Sequence, residues 1–407
     1  MIEALPFATE TSLNKQQISG GLKRRLTHSL SHAVGNSVIA FSALSLLGLG
    51  LAGCEPHAKV AGQPEEKVLN IYNWSDYISD DTIANFEKET GIKVHYDVFD
   101  TNEVLYAKLL ARRTGYDIVV PSDSFAGLQI QAGLFQKLDK SKLPNLVNMD
   151  PVVQNALSKL DPNNDHLVNW LWGYTTVGIN TAQVKAALGE LPMPKNAWDL
   201  VFDPKYASKL AGCGISFMDS GNEVMPAALL YVGKDPYTLN AADYKLAGDM
   251  LVKVRPYIRI FSSSSYINDL ANGALCAVIG YSGDINIARM RAIEAKNGNN
   301  IQVLIPSTSA ILFFDSMAIP TDAPHPNNAH IFMNYIMRPE VHASLTNKVF
   351  YANPNSKSMP FVRKDVAENK TVFLSEADKA RMTPPQLTTT LIRRVEARTF
   401  TRLKTGI

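Results

Sequence analysis

At 407 residues the chain is long enough for two domains of ordinary size, and 46% hydrophobic against 19% charged residues describes a globular body with an adequate core. The net charge is +2, but the first 53 residues hold four basic and two acidic residues, so totals of 40 and 38 leave 36 of each beyond them. A neutral body gives no electrostatic reason to expect nucleic acid as a partner.

The chain opens on an export signal. "LKRR" (22–25) is a basic n-region, and "VIAFSALSLLGLGLAG" (38–53) is an apolar run, too short for a bilayer span of ~20 residues and suited to a cleaved signal. The run ends in "LAGC", a lipobox-like sequence. Residues 1–53 therefore read as a lipoprotein signal peptide, and Cys54 as the lipidated first residue of the mature chain. An ordinary signal peptide with an incidental cysteine is the alternative. "GLGLAG" (48–53) matches a dinucleotide-binding glycine pattern but lacks the strand before it and the helix after it. Residues 54–66, polar and with two prolines, read as a tether.

Strands and helices then alternate. "VLNIYNW" reads as a strand, "SDDTIANFEKETG" as a helix capped by Ser79 or Asp80 and stopped by Gly91, and "IKVHYDVF" as a strand. "NEVLYAKLLARR" is an amphipathic helix, and "YDIVVPS" (116–122) is an apolar strand suited to a parallel, two-sided sheet. This β-α-β-α-β run predicts an open α/β sheet, which binds ligands outside the carboxyl ends of its strands. A long extended stretch, "VNWLWGYTTVGIN" (168–180), leads into a second α/β set that runs to "LCAVIGYSGD". "IQVLIP" and "ILFFDSMAIP" form another extended stretch, followed by the helix "NNAHIFMNYIMRP". Two extended segments flanking one α/β set predict two lobes joined by two crossings, the layout of a hinged binding protein.

Beyond Cys54, Cys213 and Cys276 form an even pair in an exported, oxidising setting. A disulfide and two buried thiols both fit that reading.

Four clusters of acids with aromatic neighbours fall at expected strand ends: "WSDY" (74–77), "DSGNEV" (219–224), "YSGD" (281–284) and "FFD" (313–315). Singly, each reads as an ordinary cap or core corner. Together, drawn from both lobes, they describe an aromatic slot with acids at its ends. Aromatic faces attract a cation by ~0.5–2 kcal/mol, and a carboxylate adds a charge-assisted hydrogen bond to an ammonium. An α,ω-diammonium compound fits such a slot. The competing reading is a secreted enzyme acting on amines or sugars with two carboxyls across a bond, but four carboxylates exceed what that mechanism requires. The eight histidines have no metal-ligand spacing, so neither metal nor cofactor is expected, and "GYSGD" misses the nucleophile-elbow pattern by one glycine.

From about residue 66 nearly to the end, the blocks "LNIYNWSDYISDDTIANFEKETGIKVHYDVFDTNEVLYAKLLARRTGYDIVVPS", "FQKLDKSKLPN", "SSYINDLANG", "FFDSMAIP" and "VFYANPN" resemble the bacterial periplasmic putrescine-binding proteins of polyamine ABC transporters. The resemblance implies an α/β, two-lobed class II periplasmic binding protein fold. Lobe 1 would comprise 67–172 with 312–361, and lobe 2 177–308 with 367–407. It implies a non-enzymatic, monomeric protein of the periplasm that closes on putrescine or a related polyamine and delivers it to a permease, touching the membrane only through its anchor. The family's first-lobe binding residues fall on Trp74, Ser75, Asp76 and Tyr77, and on Ser122, Ser124 and Phe125. The others fall on Glu223, Phe313, Asp315 and Tyr351, and its second-lobe tryptophan and aspartate on Tyr281 and Asp284. Tyrosine at 281 departs from the family and bears on which polyamine chain length is preferred, putrescine or spermidine. The family disulfide falls on Cys213 and Cys276.

Overall fold

Residues 65–406 are described by the structure, a computed structural model; the expected signal peptide, Cys54 and most of the expected tether lie outside them. The first strand, β1 (Val68–Trp74), buries Leu69 and Ile71 completely and pairs in parallel with β2 (Lys93–Phe99) on one side and β3 (Ile118–Val119) on the other. Between β1 and β2 runs the helix Thr82–Thr90, which stops at Gly91 in a left-handed conformation (φ 70°). Its start lies later than the expected cap. Ser79 turns to hydrogen-bond Asp81, and Asp80 pairs with Lys348. The third strand is also shorter than the apolar run that encodes it, because Pro121 has no N–H to continue the ladder.

A second, six-stranded sheet has the order β6-β5-β7-β4-β8, with β9 also paired to β4. Here β5 is Ile215–Phe217, β6 Ile258–Phe261, β7 Ala277–Tyr281 and β8 Ile301–Leu304, while β4 (Val168–Asn180) and β9 (Ile311–Met317) are the two extended stretches of the sequence. The first half of β4 pairs antiparallel with β9; its second half pairs with β7 and β8. On its other side β9 reaches the first sheet through bridges Val119–Ala318 and Ser122–Asp315. One long pair of strands thus serves both sheets, and the fold is two-lobed α/β with open sheets. Cys213 and Cys276 are joined in a disulfide that ties the entry of β5 to the entry of β7. Closing a loop of this length stabilises by ~4 kcal/mol in the chain-entropy model. The C-terminal helix Thr390–Thr405 packs on the helices Gly221–Tyr231 and Ala241–Val254. Among the described residues no helix is long and apolar enough to cross a membrane.

Candidate ligand-binding cleft

Three strands end in helix N-termini that face one another. β3 runs into the helix Asp123–Gln131, β5 leads to Gly221–Tyr231, and β7 runs into Ser282–Glu294. This is where an open α/β sheet presents its ligands. A narrow cleft opens there, with Trp74, Ser75, Tyr77, Ser122, Tyr281, Asp284, Phe313, Asp315 and Tyr351 in its wall.

Two carboxylates dominate it. Asp315, 4% exposed, accepts hydrogen bonds from the Ser122 hydroxyl at 2.6 Å and the Tyr77 hydroxyl at 2.8 Å. Asp284 accepts from the Tyr351 hydroxyl at 2.6 Å and the Tyr266 hydroxyl at 2.7 Å. Glycines make the second arrangement sterically feasible. A Cβ on Gly280 would collide with the Tyr266 ring, and one on Gly283 with the Tyr351 ring. The "GYSGD" spacing therefore seats two tyrosines against one aspartate. Burial pushes Asp315 up to about 7 and Asp284 up to about 6, even though the hydroxyl donors pull both down. No Lys, Arg or His stands among the described residues of the cleft wall; Arg291, outside it, lowers Asp284 less than its hydroxyl partners do.

The aromatics interlock around these acids. Tyr77 meets Tyr351 edge-on at 5.0 Å between ring centroids, and Phe313 contacts Tyr281 at 5.0 Å and Tyr351 at 6.0 Å. Trp74 packs on Phe99 at 4.5 Å and anchors its indole N–H to the Val120 carbonyl at 2.8 Å. The arrangement suits a flexible, apolar chain carrying positive ends.

The model for the bacterial extracellular solute-binding proteins matches residues 81–373. The chain belongs to that family. The solute-binding protein is 49% identical over 343 residues to the putrescine-binding periplasmic protein PotF of Escherichia coli, covering 84% of this chain and 92% of the relative. It is 47% identical to the putrescine-binding periplasmic protein SpuD of Pseudomonas aeruginosa over 89% of this chain and 98% of that one. Among solved structures it is similar to a putative spermidine/putrescine ABC transporter protein from Listeria monocytogenes, with a TM-score of 0.74, 28% identity, and coverage of 84% and 100%. PotF and SpuD are by name periplasmic binding proteins, not enzymes.

Not every expected residue of the solute-binding protein reaches the cleft. Asp76, in a left-handed turn (φ 54°), points out to the mouth and pairs with Arg291 at 2.8 Å. Phe125 is buried away from the cleft beneath the Arg393 guanidinium, 5.4 Å from its ring centroid. Ser124 and Glu223 line a neighbouring cavity instead. There Glu223 accepts from Thr175 at 2.5 Å, with the Tyr281 hydroxyl also on it, and burial pushes it up to about 7. "FFD" is not at a strand end either. It lies inside β9, because that crossing strand passes along the cleft floor.

Five wall residues, among them Ile267, and one supporting tyrosine were not expected. Phe99 ends β2 opposite Trp74 at the end of β1, Asp100 follows it, and Ser263 and Ser264 belong to the "FSSSSY" run at and after the end of β6. The run of serines directly after a strand is the signal that points to them. The Ser263 hydroxyl oxygen is buried without a hydrogen-bond partner among the described residues. Tyr266, which holds Asp284, gave no signal beyond its place in that run. No group of three or more His, Cys, Asp or Glu among the described residues is placed to hold a metal ion.

Proposed function

We propose that the cleft binds putrescine, with one ammonium held by Asp315 and the other by Asp284, and the methylene chain covered by Trp74, Tyr281 and Phe313. The observation that carries this reading is a pair of carboxylates, Asp315 buried and Asp284 partly buried, in an aromatic wall that has no basic residue among those described. A buried carboxylate without a cation is costly, and a bound diammonium supplies two charges at that place. The hydroxyls of Ser122, Tyr77, Tyr266 and Tyr351 fix the carboxylates before the ligand arrives, and the unpartnered Ser263 oxygen offers an ammonium a further acceptor. Its relatives PotF and SpuD, named for putrescine, support the same ligand.

The lobes, drawn at 67–172 with 312–361 and at 177–308 with 367–407, close over the diamine about β4 and β9. The closed, monomeric form then docks on an ABC permease. Cys54 carries a lipid that tethers the mature protein in the periplasm. Calorimetric titration with putrescine, cadaverine, spermidine and spermine tests the ligand. Micromolar or tighter binding of putrescine is expected, and failure to bind any of the four at that level refutes the reading. Loss of tritiated-lipid labelling in a Cys54→Ser protein tests the anchor.

A further inference from the structure

The hydroxyls that hold the two cleft acids are themselves held from behind. The Tyr266 oxygen accepts the Tyr281 backbone N–H at 3.0 Å, and the Tyr351 oxygen accepts the Asp284 backbone N–H at 3.2 Å. A hydroxyl has one proton, so an N–H donor on its oxygen leaves that proton for the carboxylate. Ser122 has the same backing, but from a side chain. Asn102, 7% exposed and the first residue of the helix Asn102–Ala111, donates from its Nδ2 to the Ser122 hydroxyl oxygen at 3.1 Å. Its Oδ1 accepts the Ser122 backbone N–H at 3.0 Å, and this second bond fixes which way the amide lies. A backbone N–H only donates, so the amide atom facing it is the oxygen, and the NH2 group is left facing the hydroxyl. The one Ser122 hydroxyl proton then points at Asp315, 2.6 Å away. Tyr77, the other donor to Asp315, has no N–H donor on its hydroxyl oxygen among the described residues.

Asn102 is not itself in the cleft wall, so it reaches a ligand only through Ser122. We propose that Asn102 is a positioning residue for the diamine: its amide clips Ser122 so that the hydroxyl proton stays on Asp315, and Asp315 stays ready to receive an ammonium. The proposal rests on the reading of Asp315 as an ammonium seat and adds the residue that sets that seat. A hydroxyl free to turn spends part of its time aimed elsewhere, and a buried carboxylate that loses a donor takes up a proton more readily. Burial raises Asp315, and of the groups that pull it back down Ser122 is the stronger, ahead of Tyr77. The other titratable groups that act on Asp315 are Asp123 from the helix after β3, Glu223 from the helix Gly221–Tyr231, and Tyr281 and Asp284 at the end of β7. Each is neutral or negative, so none replaces that proton.

The test is calorimetric titration of wild-type and Asn102→Ala proteins with putrescine from pH 6 to pH 9. The Ala variant should bind about tenfold more weakly at pH 6, the size of one hydrogen bond to a charged group. At pH 9, where Asp315 is largely ionised in both proteins, it should come within about twofold of wild type. A loss of shape alone would weaken binding equally at every pH. The second arm is a cycle with Ser122→Ala, which removes the hydroxyl and keeps the backbone N–H. With no hydroxyl to aim, adding Asn102→Ala should cost less than about twofold more at pH 6. Asn102→Ser lacks the amide donor but keeps a polar group at the helix start; it should repeat both results and decides the matter if the Ala variant does not fold. A loss that is the same at every pH, a loss that adds in full to that of Ser122→Ala, or unchanged affinity at pH 6 in a folded variant overturns the role of Asn102 and leaves the diamine reading standing. A wild-type protein that does not bind putrescine overturns both.

Discussion

The interior of the cleft and its mouth each hold acids that sit beside aromatic residues in the chain, and the two places treat them oppositely. Inside, Asp315 and Asp284 are surrounded by hydroxyls and rings, with no cation in the wall among the described residues. At the mouth, Asp76 is about half exposed and already has the Arg291 guanidinium. An acid that already has its cation in water gains little from a ligand. An acid held ready in a dry wall without one gains a great deal. Which acids bind is therefore decided by burial and by what is missing around them, more than by their nearness to aromatic residues in the chain.

That contrast is open to direct tests, the largest effect first. Asp284→Ala or Asp315→Ala should weaken putrescine binding by about 2–5 kcal/mol, because one ammonium is left unpaired in a dry cleft. Titration calorimetry reads this, and unchanged affinity in either variant would remove that residue from the site. Acidification should act in the same direction. With both carboxyls raised, to about 7 and about 6, protonation competes with the diamine, so affinity should fall as pH drops from 8 to 5. The ligand-free protein should respond the other way. A carboxyl raised above its unfolded value contributes stability that is fully present below about pH 4 and is lost as pH rises through its folded value. These two acids should therefore lower the melting temperature between pH 5 and 8 in the free protein. Saturating putrescine should cancel that fall, and parallel melting curves with and without ligand would contradict it.

Smaller effects should follow for the walls. Phe313→Leu keeps the apolar surface but removes a ring face, and should cost about 0.5–2 kcal/mol of binding. An effect as large as that of Asp284→Ala would show that Phe313 holds the acids in place instead of meeting the ligand. Asp76→Ala should cost no more than about 1 kcal/mol, as expected for an exposed ion pair. A loss comparable to that of an interior acid would erase the distinction between mouth and interior.

Much of the scaffold was legible because its signals are local. The parallel strands are short apolar runs, Gly91 marks a helix stop, and the two long extended stretches announce the strands that serve both sheets. The site was legible less evenly. Asp284 and Asp315 stood out beside aromatics, and they do line the cleft. Asp76 stood out for the same reason, but its left-handed turn sends it to Arg291, a residue more than 200 positions away. Phe125 falls on the buried side of its helix, which spacing alone does not reveal. Tyr266 and Ser263 were missed because their roles depend on the fold bringing the segment after β6 beside the end of β7.

The central claim is that the two interior carboxylates are the seats of a diammonium ligand. It is tested most directly by counting the protons exchanged when putrescine binds near pH 6.5, from calorimetry in buffers of different ionisation enthalpy. At that pH Asp315 and part of the Asp284 population carry protons in the empty cleft, and a dication drives them off. The account predicts release of about one proton per ligand, fading toward zero by pH 9 and reduced in Asp315→Asn. Binding with no proton exchange, or with proton uptake, would contradict it.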